Sequence, residues 1–431
     1  MGTLERPAAV EAQKDGDGVT TESEAPLWRN WRFQVIWLGS CSAHLGMSVA
    51  DFAYPLVILA LTGSPAMAAL FGFIQTATSL AAGLPAGVLV DRWDRRRVLM
   101  GAEVFRGLGS GSVFVAWATD HLTVGHLLGV AAILGAAGPL GGAARMLVVR
   151  AVVAPRQLTK ALTQDEVRSA ATGLAGPPLS GVLLSIGRAL PFFLCALTFA
   201  LSFLTALLVR IPRADRKVPP VAGDDQNGGG VFQGIRELWL NKMVRSALTM
   251  ISIVNVGGNA LFLAVVVLLS GQGVSTRSIG VAVAGEAVGN LLGAALVGPL
   301  HKRVGPGKLL LLVTGVLTGS VALLAAPLGP WWVFGVLTVS MLGLPSLRVL
   351  IDVLIVRQVP DERQGRTITA LIMFMTVGMP VGTLLGGLAL QFLGATVTIL
   401  VICAICALGL LVGLSDRALR QAQWPDAATG Q

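Results

Sequence analysis

The sequence predicts an all-α membrane protein whose twelve transmembrane helices form two pseudo-symmetric six-helix bundles. Three observations carry that expectation. Of 431 residues, 54% are hydrophobic and only 13% charged, where a soluble protein carries about 25% charged residues; the mean hydropathy is +0.74. The apolar residues arrive in blocks of about 20, long enough as helices to cross the hydrocarbon layer. The 53 glycines suit close packing between membrane helices better than they suit soluble helices.

Residues 1–27 are polar and acidic and read as a disordered tail, with no signal peptide ahead of the first apolar block. The N-terminal bundle covers 28–210, with spans near 33–60, 66–90, 98–118, 123–148, 160–186 and 190–210. A linker follows at 211–240. Asp224, Asp225, Gln226, Asn227 and Gly228 to Gly230 make it flexible. Its amphipathic segment, Val231, Ile235, Leu238 and Trp239 against Arg236 and Glu237, is expected on the membrane surface. The C-terminal bundle covers 241–414, with spans near 243–270, 279–300, 308–326, 331–356, 367–390 and 395–414, before a tail at 415–431.

The placement of positive charge sets the expected orientation. Of 32 Lys and Arg, 26 fall in the tails and even-numbered connections and only Arg188 and Arg277 on the opposite side; Arg106, Arg145, Arg168 and Arg348 lie inside spans. Under the positive-inside rule both termini are cytoplasmic, in a multi-pass plasma or inner membrane protein. The net charge of +9 is therefore a topology signal, and no nucleic-acid partner is expected. The lipid bilayer is the expected surround.

Echoes between the halves suggest duplication. Ala144-Arg145-Met146-Leu147 resembles Leu347-Arg348-Val349-Leu350, Gly176-Pro177 resembles Met379-Pro380, and Gly87 corresponds to Gly298, at offsets near 203–211 residues. Parallel-repeat transporters show such symmetry, with the substrate site between the halves.

After the second span the chain reads Gly87-Val-Leu-Val-Asp91-Arg92-Trp-Asp94-Arg95-Arg96-Arg97. This resembles the signature loop of the major facilitator superfamily, G-x-x-x-D-R-x-G-R-R, with Asp94 in place of the second Gly. The variant is similar to the drug and siderophore exporters that include macrolide-efflux and enterobactin-export proteins. The second-half copy is degenerate, with His301 where the Asp would stand. The resemblance implies that Asp91 faces the start of the eleventh span near Thr367, where a carboxylate at a helix N-terminus is favourable by about 0.3–1 kcal/mol. Arg92, Arg95, Arg96 and Arg97 would add ion pairs, making the loop a cytoplasmic latch. In the fifth span Gly173, Gly176, Pro177, Pro178, Ser180 and Gly181 partly match the motif of proton-coupled antiporters; a simple packing kink is the alternative.

Charges inside spans are functional hypotheses unless paired. Glu103, Arg145, Asp165, Glu166 and Arg168 lie at similar depths on the cytoplasmic side, and Arg348 and Asp352 are spaced to meet on one helix face. Structural or gating roles suit these clusters; Arg106 could pair with Glu103 or point at the cavity. Asp51 and Glu286 lack an obvious partner, with no Arg or Lys expected at their depth, and an unpaired carboxylate there can load and release a proton. His44 and Ser48 share a helix face with Asp51, so His44, Asp51 and Glu286 are the proton-pathway candidates. Asn255 and Asn259 form another polar pair, and Gly285, Gly289 and Gly293 read as a packing ridge beside Glu286.

The resulting expectation is a secondary transporter that exports a small, largely apolar organic compound by proton-coupled alternating access, working as a monomer. An uptake symporter of the same fold is the alternative, and a receptor or membrane enzyme a rival from another class. The sequence holds no H-E-x-x-H, G-x-S-x-G or Walker A pattern. Cys403 and Cys406 have only apolar neighbours and no second Cys or His pair, so neither a metal nor another cofactor is expected.

Overall fold

The computed structural model describes residues 27–209, 242–326, 328–350 and 361–421; the side chains of 84, 88, 91, 155, 242–244, 361–375 and 418 lie outside that set. The linker's amphipathic segment, most of both tails and Asp352 also lie outside it.

Twelve helices among the described residues are long and apolar enough to cross a membrane. The first six are span 1 (Trp31–Thr62), span 2 (Pro65–Arg92), span 3 (Arg95–Ala118), span 4 (Val124–Val152), span 5 (Leu158–Ile186) and span 6 (Leu190–Leu208). Span 7 (Lys242–Gly271) is followed by span 8, which breaks at Ala284 into Thr276–Val283 and Gly285–Arg303. Span 9 (Pro306–Leu324), span 10 (Pro330–Leu350), span 11 (Asp361–Leu393) and span 12 (Ala395–Ser415) complete the set. Twelve crossings bring both chain ends out on one face, called here the termini end; the other is the distal end.

Short polar caps punctuate the apolar helices. The Ser64 hydroxyl accepts from the Met67 amide and precedes Pro65 at the start of span 2. Gly63 ends span 1 with φ of 63°, a left-handed conformation open to glycine at no steric cost. Asp94 accepts from the Arg96 and Arg97 amides at 2.9 and 3.3 Å, so the residue that replaces the signature glycine is the N-cap of span 3.

The packing repeats. Spans 1–5, 1–6, 2–4, 3–4 and 3–6 pack in the first half, and spans 7–11, 7–12, 8–10, 9–10 and 9–12 pack in the second. Each pair recurs six spans later, which is the pseudo-symmetry expected. The halves meet through spans 2 and 11 and through spans 5 and 8, again a symmetric pair. Without a hydrophobic force between helices in lipid, small residues permit the contacts. Gly39 and Gly46 of span 1 lie directly against Thr205 and Thr198 of span 6. Tyr54 stacks between Phe71 and Phe192 with ring centroids 4.5 and 4.8 Å away.

Two expected boundaries move. Leu27, assigned to the tail, is buried against Phe33, Val153 and Ala161, because its apolar side chain closes the base of span 1. The second tail begins with a helical turn, Arg417–Arg420, whose Leu419 is buried with Met250 and Leu309.

Candidate functional site

Between the bundles lies a cavity of about 350 Å³, lined by His44, Ser48, Asp51, Thr172, Phe262, Glu286 and Asn290 among others. A second chamber of about 400 Å³ shares Met47, Asp51 and Phe262 with it and extends to Gln75, Leu134, Asn259 and Thr383. Volumes of this order hold a drug-sized molecule.

Span 1 delivers His44, Ser48 and Asp51 to the cavity as one stripe, as their spacing requires. Asp51 lies about 16 Å from the distal end of its helix at 1.5 Å per residue. Its Oδ1 accepts from Gln75 Nε2 at 3.2 Å. Arg106 on span 3 is within electrostatic reach of Asp51 but forms no ion pair with it among the described residues. Glu286 follows the break in span 8. Behind it, Gly285, Gly289 and Gly293 lie flush on the Phe334, Thr338 and Leu342 carbonyls of span 10. The ridge turns Glu286 toward the cavity, where its carboxylate has no hydrogen bond or ion pair among the described residues.

Toward the termini end the charges pair. Arg145 of span 4 meets Glu103 of span 3 at 2.5 Å, with side-chain exposures of 10% and 0%. Arg168 meets Asp165 at 2.5 Å and donates to the Ser40 carbonyl at 2.7 Å. His44 Nδ1 lies 2.7 Å from the Arg168 guanidinium and 3.4 Å from that of Arg145. The same nitrogen lies 3.3 Å from the Ser40 carbonyl. Arg106 has no carboxylate within 4 Å among the described residues; Arg145 holds Glu103, and the Arg106 guanidinium sits 5.6 Å from the Phe199 ring centroid. Glu166 pairs at 3.8 Å with Arg348 of the other half, both largely exposed. The anticipated Arg348–Asp352 pair lies outside the described residues.

At the distal end the bundles close on each other. Phe52 and Phe262 meet edge to face at 6.3 Å, and Ser64 Oγ donates to Gln391 Oε1 at 2.8 Å. Span 5 carries much of this seal. Gly176 lies against Ser48, Ser180 Oγ donates to the Val49 carbonyl at 2.8 Å, and Gly181 lies on the Thr276–Arg277 backbone of span 8. The Pro177 carbonyl and Pro178 backbone lie against Gly280. The glycine-proline segment thus packs against span 1 and against the opposite bundle.

In the basic loop, Arg96 donates to the Ala206 carbonyl at 2.9 Å and to the Leu207 carbonyl, so it serves the end of span 6 in its own half. Arg92, Arg95 and Arg97 make no ion pair among the described residues. Gly87 faces open space. The side chains of Asp91 and Thr367 lie outside the described residues. Among those residues no cluster of three His, Cys, Asp or Glu could hold a metal. Cys406 is buried, and Cys403 Sγ donates to the Thr318 carbonyl at 3.6 Å.

Sequence reasoning missed Gln75, Phe52 and Phe262. Gln75 was legible as the one amide in span 2; nothing in the sequence singles out the two phenylalanines.

A family model described as transmembrane secretion effector matches residues 21–428. The multidrug efflux pump Tap of Mycobacterium tuberculosis is 26% identical over 402 residues, covering 90% of this chain and 94% of Tap. Macrolide efflux protein A of Streptococcus pyogenes is 25% identical over 384 residues, 85% of this chain and 92% of the relative. The enterobactin exporter EntS of Shigella flexneri is 26% identical over 389 residues, 88% and 89% of the two chains. A bacterial homologue of the iron transporter ferroportin in its inward-facing state superposes with a TM-score of 0.67 at 18% identity, covering 90% of this chain and 99% of that one. Its outward-facing state gives 0.56, covering 89% and 98%. With twelve apolar spans, a repeated packing plan and a cavity between the halves, the chain belongs to the transmembrane secretion effectors of the major facilitator superfamily, multi-pass transporters of the cell membrane.

Proposed function

We propose that the protein exports a small, largely apolar organic compound by proton-coupled alternating access, with both termini in the cytoplasm and a single chain as the working unit. The observation that carries this reading is that Asp51 and Glu286, one from each half, face the same cavity at the interface between the bundles. A carboxylate that deep in a membrane is costly unless it serves the mechanism. When the bundles rock about the cavity, both carboxylates change the side they face, so a proton taken up on one side is released on the other. The efflux pumps and exporter among the relatives support outward transport.

The 26-to-2 distribution of Lys and Arg supports cytoplasmic termini. With that orientation the distal seal at Phe52–Phe262 and Pro177–Gly280 corresponds to an inward-open state, and the better superposition on the inward-facing neighbour supports it. Cargo enters from the cytoplasm or inner leaflet and meets the carboxylates. The termini end then closes, with the charges of the Asp91–Arg97 loop as the latch beside the Glu166–Arg348 pair already in place, while the seal parts.

The test is accumulation of lipophilic drugs and siderophores in an efflux-deficient bacterium expressing this chain, with and without an uncoupler. Lower accumulation that the uncoupler abolishes is expected, and Asp51→Asn or Glu286→Gln should lose it while the protein remains in the membrane. Raised accumulation would instead mean uptake. Wild-type export by both variants would remove the carboxylates from the mechanism.

A further inference from the structure

The base of span 1 carries a group of cations that neither the cavity nor the latch uses. Trp28, Arg29, Trp31 and Arg32 are exposed there, the two indoles at 73% and 57%. The turn that presents them is pinned on its other side. Leu27 is buried with Phe33, Val153 and Ala161, and Gln34 Nε2 donates to the Leu27 carbonyl at 2.9 Å. Asn30 accepts from the Phe33 amide at 3.1 Å and donates to the Val152 carbonyl at 3.0 Å. The base of span 1 is thereby docked on the connection between spans 4 and 5. That connection adds Arg156, in the turn Pro155–Gln157, and Lys160, next to the buried Ala161; both are exposed.

No acid answers these four cations. Residues 27–50 and 121–164 contain no Asp or Glu, and none of the four makes an ion pair among the described residues. Uncompensated positive charge on a surface that is already built attracts an anion, and the neighbouring rings say which kind. Two exposed indoles at the start of a membrane span belong where hydrocarbon gives way to headgroups, because the ring is apolar and its N–H polar. The Arg29 guanidinium lies 5.8 Å from the Trp28 ring centroid, and that of Arg32 lies 5.9 Å from the Trp31 centroid, so each charge is held beside its indole. A soluble anion would meet the charges and leave the indoles unused. A phospholipid meets both, with phosphate oxygens on the guanidinium forks and acyl chains against the rings.

We infer that the base of span 1, together with the connection between spans 4 and 5, binds an anionic phospholipid. Arg29 and Arg32 hold its phosphodiester, Arg156 and Lys160 complete the positive surround, and Trp28 and Trp31 lie against the upper acyl chains. A zwitterionic lipid brings its own cation to the same place and is the poorer ligand. The site lies outside the cavity, and the inference depends neither on export nor on which leaflet the termini end faces.

The full-length protein in detergent is titrated separately with dioleoylphosphatidylglycerol, dioleoylphosphatidylcholine and glycerol 3-phosphate, and native mass spectrometry counts the molecules bound. The expected result is one phosphatidylglycerol that binds ahead of any other, phosphatidylcholine weaker by about tenfold or more, and no retained glycerol phosphate. Replacing two surface cations, Arg29→Gln with Arg32→Gln, should weaken that first lipid about 30-fold. Arg29→Lys with Arg32→Lys keeps the charge and should recover a large part of the loss. Trp28→Ala with Trp31→Ala should weaken the lipid as well. Arg417→Gln with Arg420→Gln removes two exposed arginines from the termini end of the other half and should leave the first lipid unchanged. Equal affinity for phosphatidylcholine, an equal loss in the Arg417 and Arg420 control, unchanged affinity in the Arg29 and Arg32 glutamine variant, or no recovery with the lysines would each overturn the inference. Glycerol phosphate held as tightly as the lipid would overturn it too, since the site would then be one for a soluble anion.

Discussion

Gly280 offers a direct way to shift the conformational equilibrium. A Cβ at this position would strike the Pro177 carbonyl oxygen and come within 3.0 Å of its carbonyl carbon and 3.2 Å of Pro178 Cα. These are backbone atoms of a different bundle, so no rotamer change relieves the clash. Gly280→Ala must therefore push spans 5 and 8 apart at the distal seal. Overpacking of one methyl costs about 1–3 kcal/mol, and it applies only while the seal is closed. The ratio of distally open to distally closed molecules should rise about 5- to 150-fold. Gly258 on span 7 has open space where a Cβ would stand, so Gly258→Ala is the control. The assay places a cysteine at Asn290, exposed on the cavity wall, and measures labelling by a membrane-impermeant thiol reagent from each face. Distal labelling should accelerate in Gly280→Ala and labelling from the termini end should slow. If both rates match the Gly258→Ala control in a variant of normal thermal stability, the contact does not hold the seal and the reasoning fails.

Glu103→Gln leaves Arg145 buried without its 2.5 Å partner, which should cost about 3–5 kcal/mol; thermal unfolding in detergent reads the loss, and adding Arg145→Met should recover part of it. Gly289→Val drives a branched side chain into the Thr338 carbonyl and to 2.8 Å or less from Met341 Cβ; about 1–3 kcal/mol of stability should go, visible as a lower unfolding temperature and yield. Arg348→Ala breaks an exposed 3.8 Å pair, and unfolding should change by no more than about 1 kcal/mol, while an altered transport rate in the same variant would expose a gating role.

The sequence by itself determined the number and extent of the spans, because apolar blocks of membrane length are a local property of the chain. The basic loop named the superfamily for the same reason: its spacing is read along the chain, and Asp94 could be noticed as a departure. That Asp94 caps span 3 needed the backbone geometry. The stripe His44, Ser48 and Asp51 was legible from helical periodicity, and the glycine ridge beside Glu286 was legible as a packing face. Only the tertiary structure brought Asp51 and Glu286 to one cavity, since they lie 235 residues apart and a helix's face gives no partner. It also divided the cations, giving Glu103 to Arg145, Glu166 to Arg348 and leaving Arg106 to act on Asp51. Pairing among buried charges depends on distances between helices, and those are fixed by how glycines and small side chains let the bundles approach.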